Sequence, residues 1–309
     1  RLGRPMPDSN GVQASFPKGA QIIENPLGSA DGFSVQIGAC RWVCFPGVPA
    51  ELMPMWESFM TDHPKVLGQP EWVSGKLIRL YGLGESAIQD RIQDVINHHP
   101  SVHLAFQCYP AEVHLRLGAP MHLKAEVVAF EAALVERLRP FIYGFDDQSF
   151  WQRFDALCRK NEWSVAIAES CTGGMIMQEL TAIPDVSTYL RGGVVVYQTR
   201  TKSDILGLPT TLIEKNGGVS APVAGALAEA VAKKFKARVG MSVTGFAGPS
   251  GDAEGPPVGT VFVGCHVGGK TVVTPHVFPG NRQQIRVRAS YAAVNLAFET
   301  MHAYSEANA

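Results

Sequence analysis

The sequence predicts a multidomain α/β protein, and three observations carry this prediction. The chain has 309 residues, about twice the length of a common domain, so a single core is not expected. Its second half alternates short apolar strands with helical segments, as in an open α/β sheet layered by helices. Its first part is instead rich in Gly and Pro. We expect an N-terminal α/β domain at 1–69, a small split α+β connecting domain at 70–145 and a C-terminal α/β domain at 146–309.

Composition and charge narrow the class of partner. Hydrophobic residues make up 46% of the chain and charged residues 18%, as in ordinary globular proteins. The net charge is -1 and no long run of like charges occurs, so neither nucleic acid nor a membrane is an expected partner. Six scattered cysteines without C-x-x-C spacing fit a reducing cytoplasm, and no apolar run is long enough to predict a membrane span. The expected partner is a small molecule.

The upstream elements are predicted from apolar runs between turn residues and from helical periodicity. In the N-terminal domain, strands are expected at 21–23 and 33–37, a buried strand at 41–45 and a helix at about 50–62. The connecting domain shows a β-α-β-α pattern, and its first helix follows Gly84 with Ile88, Ile92 and Ile96 at helical spacing. Its other elements are a strand at 76–81, a strand at 113–117 and a helix at 124–138.

The C-terminal domain has the clearest pattern of strands and helices. Ser220 followed by Ala221-Pro222 predicts a helix start, because serine can cap free amides and proline tolerates the first turn. The predicted helices are 148–161, 173–182, 220–236 and 280–303, and the predicted strands are 164–168, 193–197, 239–244, 259–266 and 271–278.

Ser170 is the first candidate for chemistry because it lies where a strand becomes a helix. The strand at 165–168 runs into Glu169-Ser170-Cys171-Thr172-Gly173-Gly174, and an apolar helix follows. Ligands of open α/β sheets bind beyond the carboxyl ends of strands, where helix amides attract anions and glycines allow close approach. Thr172, Gly173 and Gly174 are therefore candidate substrate-binding residues. The alternatives are an ordinary serine-capped turn, or Cys171 as a rival nucleophile that lacks a recognisable His-Asn pair.

A serine hydroxyl needs a base, and Lys202 is the candidate. The strand at 193–196 delivers Tyr197 to its carboxyl end, and Lys202 begins the next helix. In a parallel sheet both lie at the same edge as Ser170. A partly desolvated lysine can accept the serine proton, directly or through a tyrosine hydroxyl. Taken singly, Lys202 is interpreted as a solvated surface lysine and Tyr197 as an aromatic residue at a strand end. Their joint placement at the same edge as Ser170 favours a role in its chemistry.

Two further segments are predicted to contact a ligand. The Gly-rich loop at 244–251 leaves another apolar strand and offers Thr244 and Gly248, although it lacks the lysine of a P-loop. A plain connection between strands is the alternative. Arg282 opens the last helix and suits a phosphate or carboxylate, whereas Arg286, one turn later, is interpreted as facing solvent. No metal ligand is assigned to this site.

Five segments, in this order, resemble the C-terminal domain of the CinA family of competence/damage-inducible proteins. They are Ala168-Glu169-Ser170-Cys171-Thr172-Gly173-Gly174, the pair Tyr197 and Lys202, 217–220, 244–249 and 257–261. The resemblance covers about 147–309 and implies hydrolysis of nicotinamide mononucleotide to nicotinate mononucleotide and ammonia, a step of pyridine nucleotide recycling. It implies Ser170 as nucleophile, Lys202 and Tyr197 as activators, and Thr244 and Arg282 as ligand contacts. It also implies a homodimer and no cofactor for the amidase.

The upstream sequence also resembles the CinA family. Segments 4–10, 25–33 and 45–51 are similar to the second half of its molybdopterin-binding-like N-terminal domain, which implies that only a partial domain is present. Residues 70–142, with the turn Gly82-Leu83-Gly84-Glu85-Ser86, resemble its small connecting domain.

Two alternative functions are left open by the sequence. One is a nucleotide-binding regulatory protein without turnover. The other is an ADP-ribose pyrophosphatase in the N-terminal domain, an activity that needs a divalent metal. The carboxylates available there are Asp8, Asp31 and Glu51, which we expect to be solvated or to cap the backbone.

Overall fold

The N-terminal part forms a compact unit of its own. The computed structural model describes residues 15–63, 72–251 and 256–307, and the chain divides into a unit up to Trp72 and a unit from Val73 onward. The segment at 4–10, including Asp8, therefore lies outside the described residues. The three predicted strands are present and pair as an antiparallel sheet in the order β1-β2-β3, and the predicted helix follows. Its elements are β1 (Gln21–Ile23), β2 (Gly32–Ile37), β3 (Cys40–Cys44) and α1 (Pro49–Asp62).

The strand predicted to be buried at 41–45 is present as β3, but its burial was predicted wrongly. Trp42 on this strand is 58% exposed. β3 is the edge of a three-stranded sheet, and an apolar run looks the same in the sequence whether or not another layer covers it. Both described carboxylates bond to Asn25: Asp31 caps the backbone as expected, whereas Glu51 bonds to the side chain. Oδ1 of Asp31 accepts from its backbone N at 2.8 Å, and Oε2 of Glu51 accepts from its Nδ2 at 2.7 Å.

The connecting domain is an antiparallel sheet covered by two helices. The sheet order is β4-β7-β5-β8, with β6 paired to β7. Ile78, Ile88, Leu115 and Phe130 are fully buried in its core. The two helices and the strands near 76–81 and 113–117 are confirmed, whereas β4, β6 and β8 were not predicted. The elements are β4 (Trp72–Ser74), β5 (Ile78–Tyr81), α2 (Glu85–His98), β6 (His103–Cys108), β7 (Glu112–Pro120), α3 (Lys124–Leu138) and β8 (Ile142–Phe145).

The C-terminal domain is built on a five-stranded mixed sheet. The order is β10-β9-β11-β12-β13, in which the first three strands are parallel and the last two join antiparallel. The predicted strand at 193–197 begins earlier, at Leu190, and ends at Val195. The strands are β9 (Val165–Glu169), β10 (Leu190–Val195), β11 (Val239–Gly245), β12 (Thr260–Val267) and β13 (Lys270–Val277).

Helices cover both faces of this sheet, and the two faces use different residues of β9. Val165 and Ile167 belong to one core with residues of α4, α5 and α9, while Ala166 and Ala168 belong to another with residues of α8. Alternate strand residues point to opposite faces, which explains this division. The helices are α4 (Phe150–Lys160), α5 (Met175–Thr181), α6 (Thr199–Leu206), α7 (Thr210–Asn216), α8 (Ala221–Phe235) and α9 (Arg282–Ala307). α7 was not predicted.

The close approach of α8 to the sheet depends on Gly240 of β11. A Cβ added there would collide with the carbonyl oxygen of Ala228 and lie 2.8 Å from the Cβ of Ala232. Gly240→Ala is therefore expected to lower the free energy of unfolding by about 1–3 kcal/mol, as overpacking typically does. Chemical denaturation tests this, with Gly84→Ala as the control because a Cβ at Gly84 meets nothing within 4 Å. Equal stability of the two variants would contradict it.

Candidate active site

Three loops that carry predicted site residues leave the sheet at the same edge. Glu169, the last residue of β9, is paired with Val195 on one side and Val243 on the other. Since the three strands are parallel, Ser170, Tyr197 and the loop after Thr244 all follow their carboxyl ends. The predicted convergence at this edge is confirmed.

The turn after β9 holds Ser170 in a buried position. Ser170 is only 6% exposed. Gly173 and Gly174 have φ values of 63° and 95°, which L side chains rarely adopt, so the turn requires glycine there. The side chain of Glu169 turns back under α5 and accepts hydrogen bonds from the backbone N of Gly174 and of Met177, both at 2.9 Å. The turn is thereby fixed to the start of the helix.

Lys202 lies beside Ser170, buried within the domain. Its side chain is carried by α6, is 2% exposed, and places Nζ 3.5 Å from Oγ of Ser170 and 3.0 Å from the carbonyl oxygen of Val196. The contact with Ser170 is at the long end of hydrogen-bond distances. Burial lowers the pKa of Lys202, because the charged amine loses its hydration. A lysine of this kind can become neutral more readily and accept a proton.

A cavity of about 350 Å³ opens onto this pair. Such a volume is in the range of small-molecule sites. The Arg282 guanidinium is among its lining groups, and none of the described lining residues is a carboxylate. The site thus favours an anionic ligand. Other lining residues are Ser170, Tyr197, Gly218 and Gly248.

Arg282 joins two of the three loops. Its Nη1 donates to the carbonyl oxygen of Gly248 at 2.5 Å, and its Nη2 donates to the hydroxyl of Tyr197 at 3.1 Å. Tyr197 is 58% exposed, and its recorded hydrogen-bond partner is Arg282 rather than Ser170. The predicted residues Ser170, Tyr197, Lys202 and Arg282 therefore all line the cavity. Of these, Lys202 contacts the serine hydroxyl directly. A proton relay through Tyr197 stays a prediction.

Four other predicted ligand contacts are not among the residues that line the cavity: Thr172, Gly173, Gly174 and Thr244. Thr244 is fully buried, and its hydroxyl donates to the carbonyl oxygen of Gly218 at 2.8 Å, so it supports a lining residue. Thr172 is also fully buried, while the amides of Gly173 and Gly174 donate to the Ser170 carbonyl and to Glu169. Both amides are therefore already engaged within the turn.

Cys171 is a poor rival to Ser170 as the nucleophile. It lines the cavity but is only 5% exposed, and burial raises its pKa to about 12. Cysteine attacks as the thiolate, which is scarce at neutral pH for such a group.

Sequence reasoning missed Glu169 and misjudged Arg286. Arg286 is half-buried, and its Nη2 donates to the carbonyl oxygen of Thr172 at 2.7 Å. The interpretation of Arg286 as facing solvent was therefore wrong, because α9 packs close to the turn that follows β9. For Glu169 a signal was available: an acidic residue ends an otherwise apolar strand immediately before a glycine turn.

Comparison with known protein sequences shows which family this chain resembles. Residues 147–301 match the CinA C-terminal domain, and residues 75–144 match the KH domain of the damage-inducible protein CinA. A competence-damage inducible protein of Geobacillus sp. is 33% identical over 315 residues, which cover 99% of this chain and 75% of that protein. The chain belongs to the CinA family. A CinA-like protein of Gemmatimonas aurantiaca is 36% identical over 302 residues, covering 96% of this chain and 71% of its own length.

Solved structures of CinA proteins align with about half of the chain. A CinA superfamily protein from Escherichia coli is 27% identical with a TM-score of 0.46, covering 47% of this chain and 85% of its own. A competence/damage inducible protein from Agrobacterium tumefaciens is 28% identical with a TM-score of 0.48, covering 50% of this chain and 93% of its own.

Among the described residues, no helix combines the length and the apolar character that crossing a membrane requires.

Proposed function

We propose that this CinA protein hydrolyses the carboxamide of nicotinamide mononucleotide, giving nicotinate mononucleotide and ammonia. The observation that carries the proposal is the contact between the buried Lys202 amine and the Ser170 hydroxyl, at the wall of a cavity that Arg282 also lines. A serine paired with a desolvated lysine is an arrangement suited to acyl transfer. Membership of the CinA family supports the choice of substrate.

The proposed reaction proceeds through an acyl-enzyme. Neutral Lys202 takes the proton of Ser170 as Oγ attacks the carboxamide carbon, and the carbonyl oxygen becomes an oxyanion. When the C–N bond breaks, the Lys202 ammonium returns the proton to the leaving nitrogen and ammonia departs. Lys202 then takes a proton from water, whose oxygen attacks the acyl carbon. When the ester bond breaks, the Lys202 ammonium returns this proton to Oγ of Ser170, which restores the hydroxyl and the neutral amine and releases the nicotinate product.

Arg282 is proposed to bind the substrate phosphate. Arg282→Ala is expected to raise KM for nicotinamide mononucleotide about tenfold and to change kcat less. This loss of affinity is small for a hydrogen bond to a charged group, because Arg282 is solvent-exposed. Steady-state kinetics on this nucleotide and on nicotinamide riboside, which lacks the phosphate, measure the effect. Only the phosphorylated substrate should be affected. Arg200→Ala is the control, since the Arg200 side chain is 86% exposed on α6. Equal losses on both substrates would instead assign Arg282 to loop structure.

The proposed function is tested by ammonia release from nicotinamide mononucleotide in the presence of an excess of a metal chelator. The expected result is one ammonia for each nicotinate mononucleotide formed, with the chelator making no difference. Absence of both products at substrate concentrations that saturate binding would refute the proposal.

A further inference from the structure

Glu169 is a carboxylate buried completely at the centre of the C-terminal domain. It is 0% exposed, at the end of β9 and next to Ser170. Burying a carboxylate is unfavourable unless hydrogen-bond donors replace its water. Here three backbone amides do so: Oε2 accepts from Gly174 at 2.9 Å and from Ile176 at 3.3 Å, and Oε1 accepts from Met177 at 2.9 Å. Both carboxylate oxygens are therefore engaged by the start of α5.

Arg286 holds the same turn from another side. Its Nη2 donates to the carbonyl oxygen of Thr172 at 2.7 Å, and its Nη1 donates to Oε1 of Gln283 at 3.3 Å. A Cβ built on Gly173 would lie 3.5 Å from this guanidinium, so the arginine sits directly against the turn. The segment between Ser170 and Gly174 is thus fixed to α5 by Glu169 and to α9 by Arg286.

We propose that Glu169 and Arg286 are positioning residues that hold the Ser170 hydroxyl at the Lys202 amine. The inference rests on the proposed function, and it concerns residues to which that function assigns no role. Neither residue is among those lining the cavity, so both act through the turn rather than on the substrate. The 3.5 Å separation of Nζ and Oγ is at the outer limit of a hydrogen bond, and a small displacement of the turn removes it. A shift of about 1 Å in a reacting group can lower a rate by about 10²-fold.

Glu169→Gln tests the carboxylate with little change in shape. The amide has one oxygen and one NH₂ group, so a donor must face either Met177 or the amides of Gly174 and Ile176. Losing hydrogen bonds to a charged group is expected to lower kcat for nicotinamide mononucleotide by about 10- to 100-fold. KM should change less than about threefold, because the cavity wall is untouched. Glu179→Gln, which removes the same charge from the partly exposed Glu179 of α5, is the control and should retain wild-type kcat.

Arg286→Gln tests the contact between Arg286 and the Thr172 carbonyl oxygen. It also keeps the inference testable if Glu169→Gln does not fold. It should show the same pattern, a fall in kcat with KM kept, because it frees the Thr172 carbonyl. Arg191→Gln is its control, since Arg191 is exposed on β10. A rise in KM with unchanged kcat in Arg286→Gln would overturn the positioning role and indicate a contact with substrate.

Hydrogen exchange at residue resolution separates failure of this inference from failure of the proposed function. In Glu169→Gln the amides of Gly174, Ile176 and Met177 should exchange faster than in the wild type and in Glu179→Gln. A wild type that releases no ammonia refutes the amidase, and the exchange of these amides then decides the positioning role alone. Wild-type exchange at all three amides, or wild-type kcat in both Glu169→Gln and Arg286→Gln, would overturn the inference.

Discussion

Replacing Lys202 with methionine is expected to lower kcat for nicotinamide mononucleotide by about 10²–10⁴-fold, the range typical for loss of a general base. Methionine is also long and unbranched, so it can fill the buried position without supplying a basic atom. The wild-type kcat should rise with pH until Lys202 is neutral and then level off. Because burial lowers the pKa of Lys202, this plateau is expected below the ordinary lysine value of 10.5. Ammonia release measured across this pH range should show no such rise for Lys202→Met.

Lys202→Arg distinguishes a base from a fixed positive charge. Arginine keeps the charge but is not deprotonated in proteins. If Lys202 is the base, the arginine variant is expected to be as inactive as the methionine variant. Substantial activity in Lys202→Arg would contradict the general-base role and assign the lysine to charge stabilisation.

The same lysine links stability to pH. A lysine whose folded-state pKa is lowered binds its proton less tightly in the folded than in the unfolded chain. Between the lowered pKa and the ordinary value of 10.5, the unfolded state carries more protons, so wild-type stability gains as pH rises through this window. Below the window, the full cost of the buried charge is present. Relative to Lys202→Met, the wild type should therefore gain in melting temperature as pH rises toward the ordinary lysine pKa of 10.5.

The sheet edge and its candidate residues could be predicted because they depend on local patterns. Apolar runs and helical periodicity located β9, β10, β11 and α8 within a few residues. Parallel strands deliver their carboxyl ends to one edge, so the order of strands along the chain was enough to bring Ser170 and Lys202 together.

The exact partners of each side chain could not be predicted in this way. Tyr197 was placed at the right edge, but its hydroxyl bonds to Arg282, which comes 85 residues later. Likewise, the contact of Arg286 with Thr172 spans 114 residues and depends on how α9 packs over α5. Such contacts follow from tertiary packing, which periodicity within one segment does not report.

Short elements in the first half were the least predictable. β6 and β8 are stabilised by pairing with β7 and β5 rather than by a strong pattern of their own. The prediction that β3 is buried was wrong for a related reason, because the exposure of Trp42 depends on which layer covers an edge strand. In each case the sequence of the strand does not identify the neighbouring strand or layer that decides its structure.

Ser170→Ala is expected to lower kcat by at least about 10⁴-fold, as removal of a catalytic nucleophile does. Folding should be preserved, because the change removes one hydroxyl and leaves Lys202 bonded to the carbonyl oxygen of Val196. Ser203→Ala is the matched control: Ser203 is half-buried on α6 beside Lys202 but does not line the cavity. Ammonia release by both variants, together with their thermal unfolding, separates loss of chemistry from loss of structure.

Acid quenching during turnover identifies the atom that carries the acyl group. The mass of the nicotinate nucleotide acyl group should appear on the peptide containing Ser170 in the wild type and be absent in Ser170→Ala. The neighbouring Cys171 lies on the same peptide, so Cys171→Ala is needed and is expected to keep both the adduct and most of the activity. Its thiol, with a pKa raised to about 12, remains protonated at neutral pH and does not compete with a serine activated by Lys202. An adduct that survives in Ser170→Ala but disappears in Cys171→Ala would show that Cys171 is the nucleophile. Lys202 would then activate Cys171 rather than Ser170.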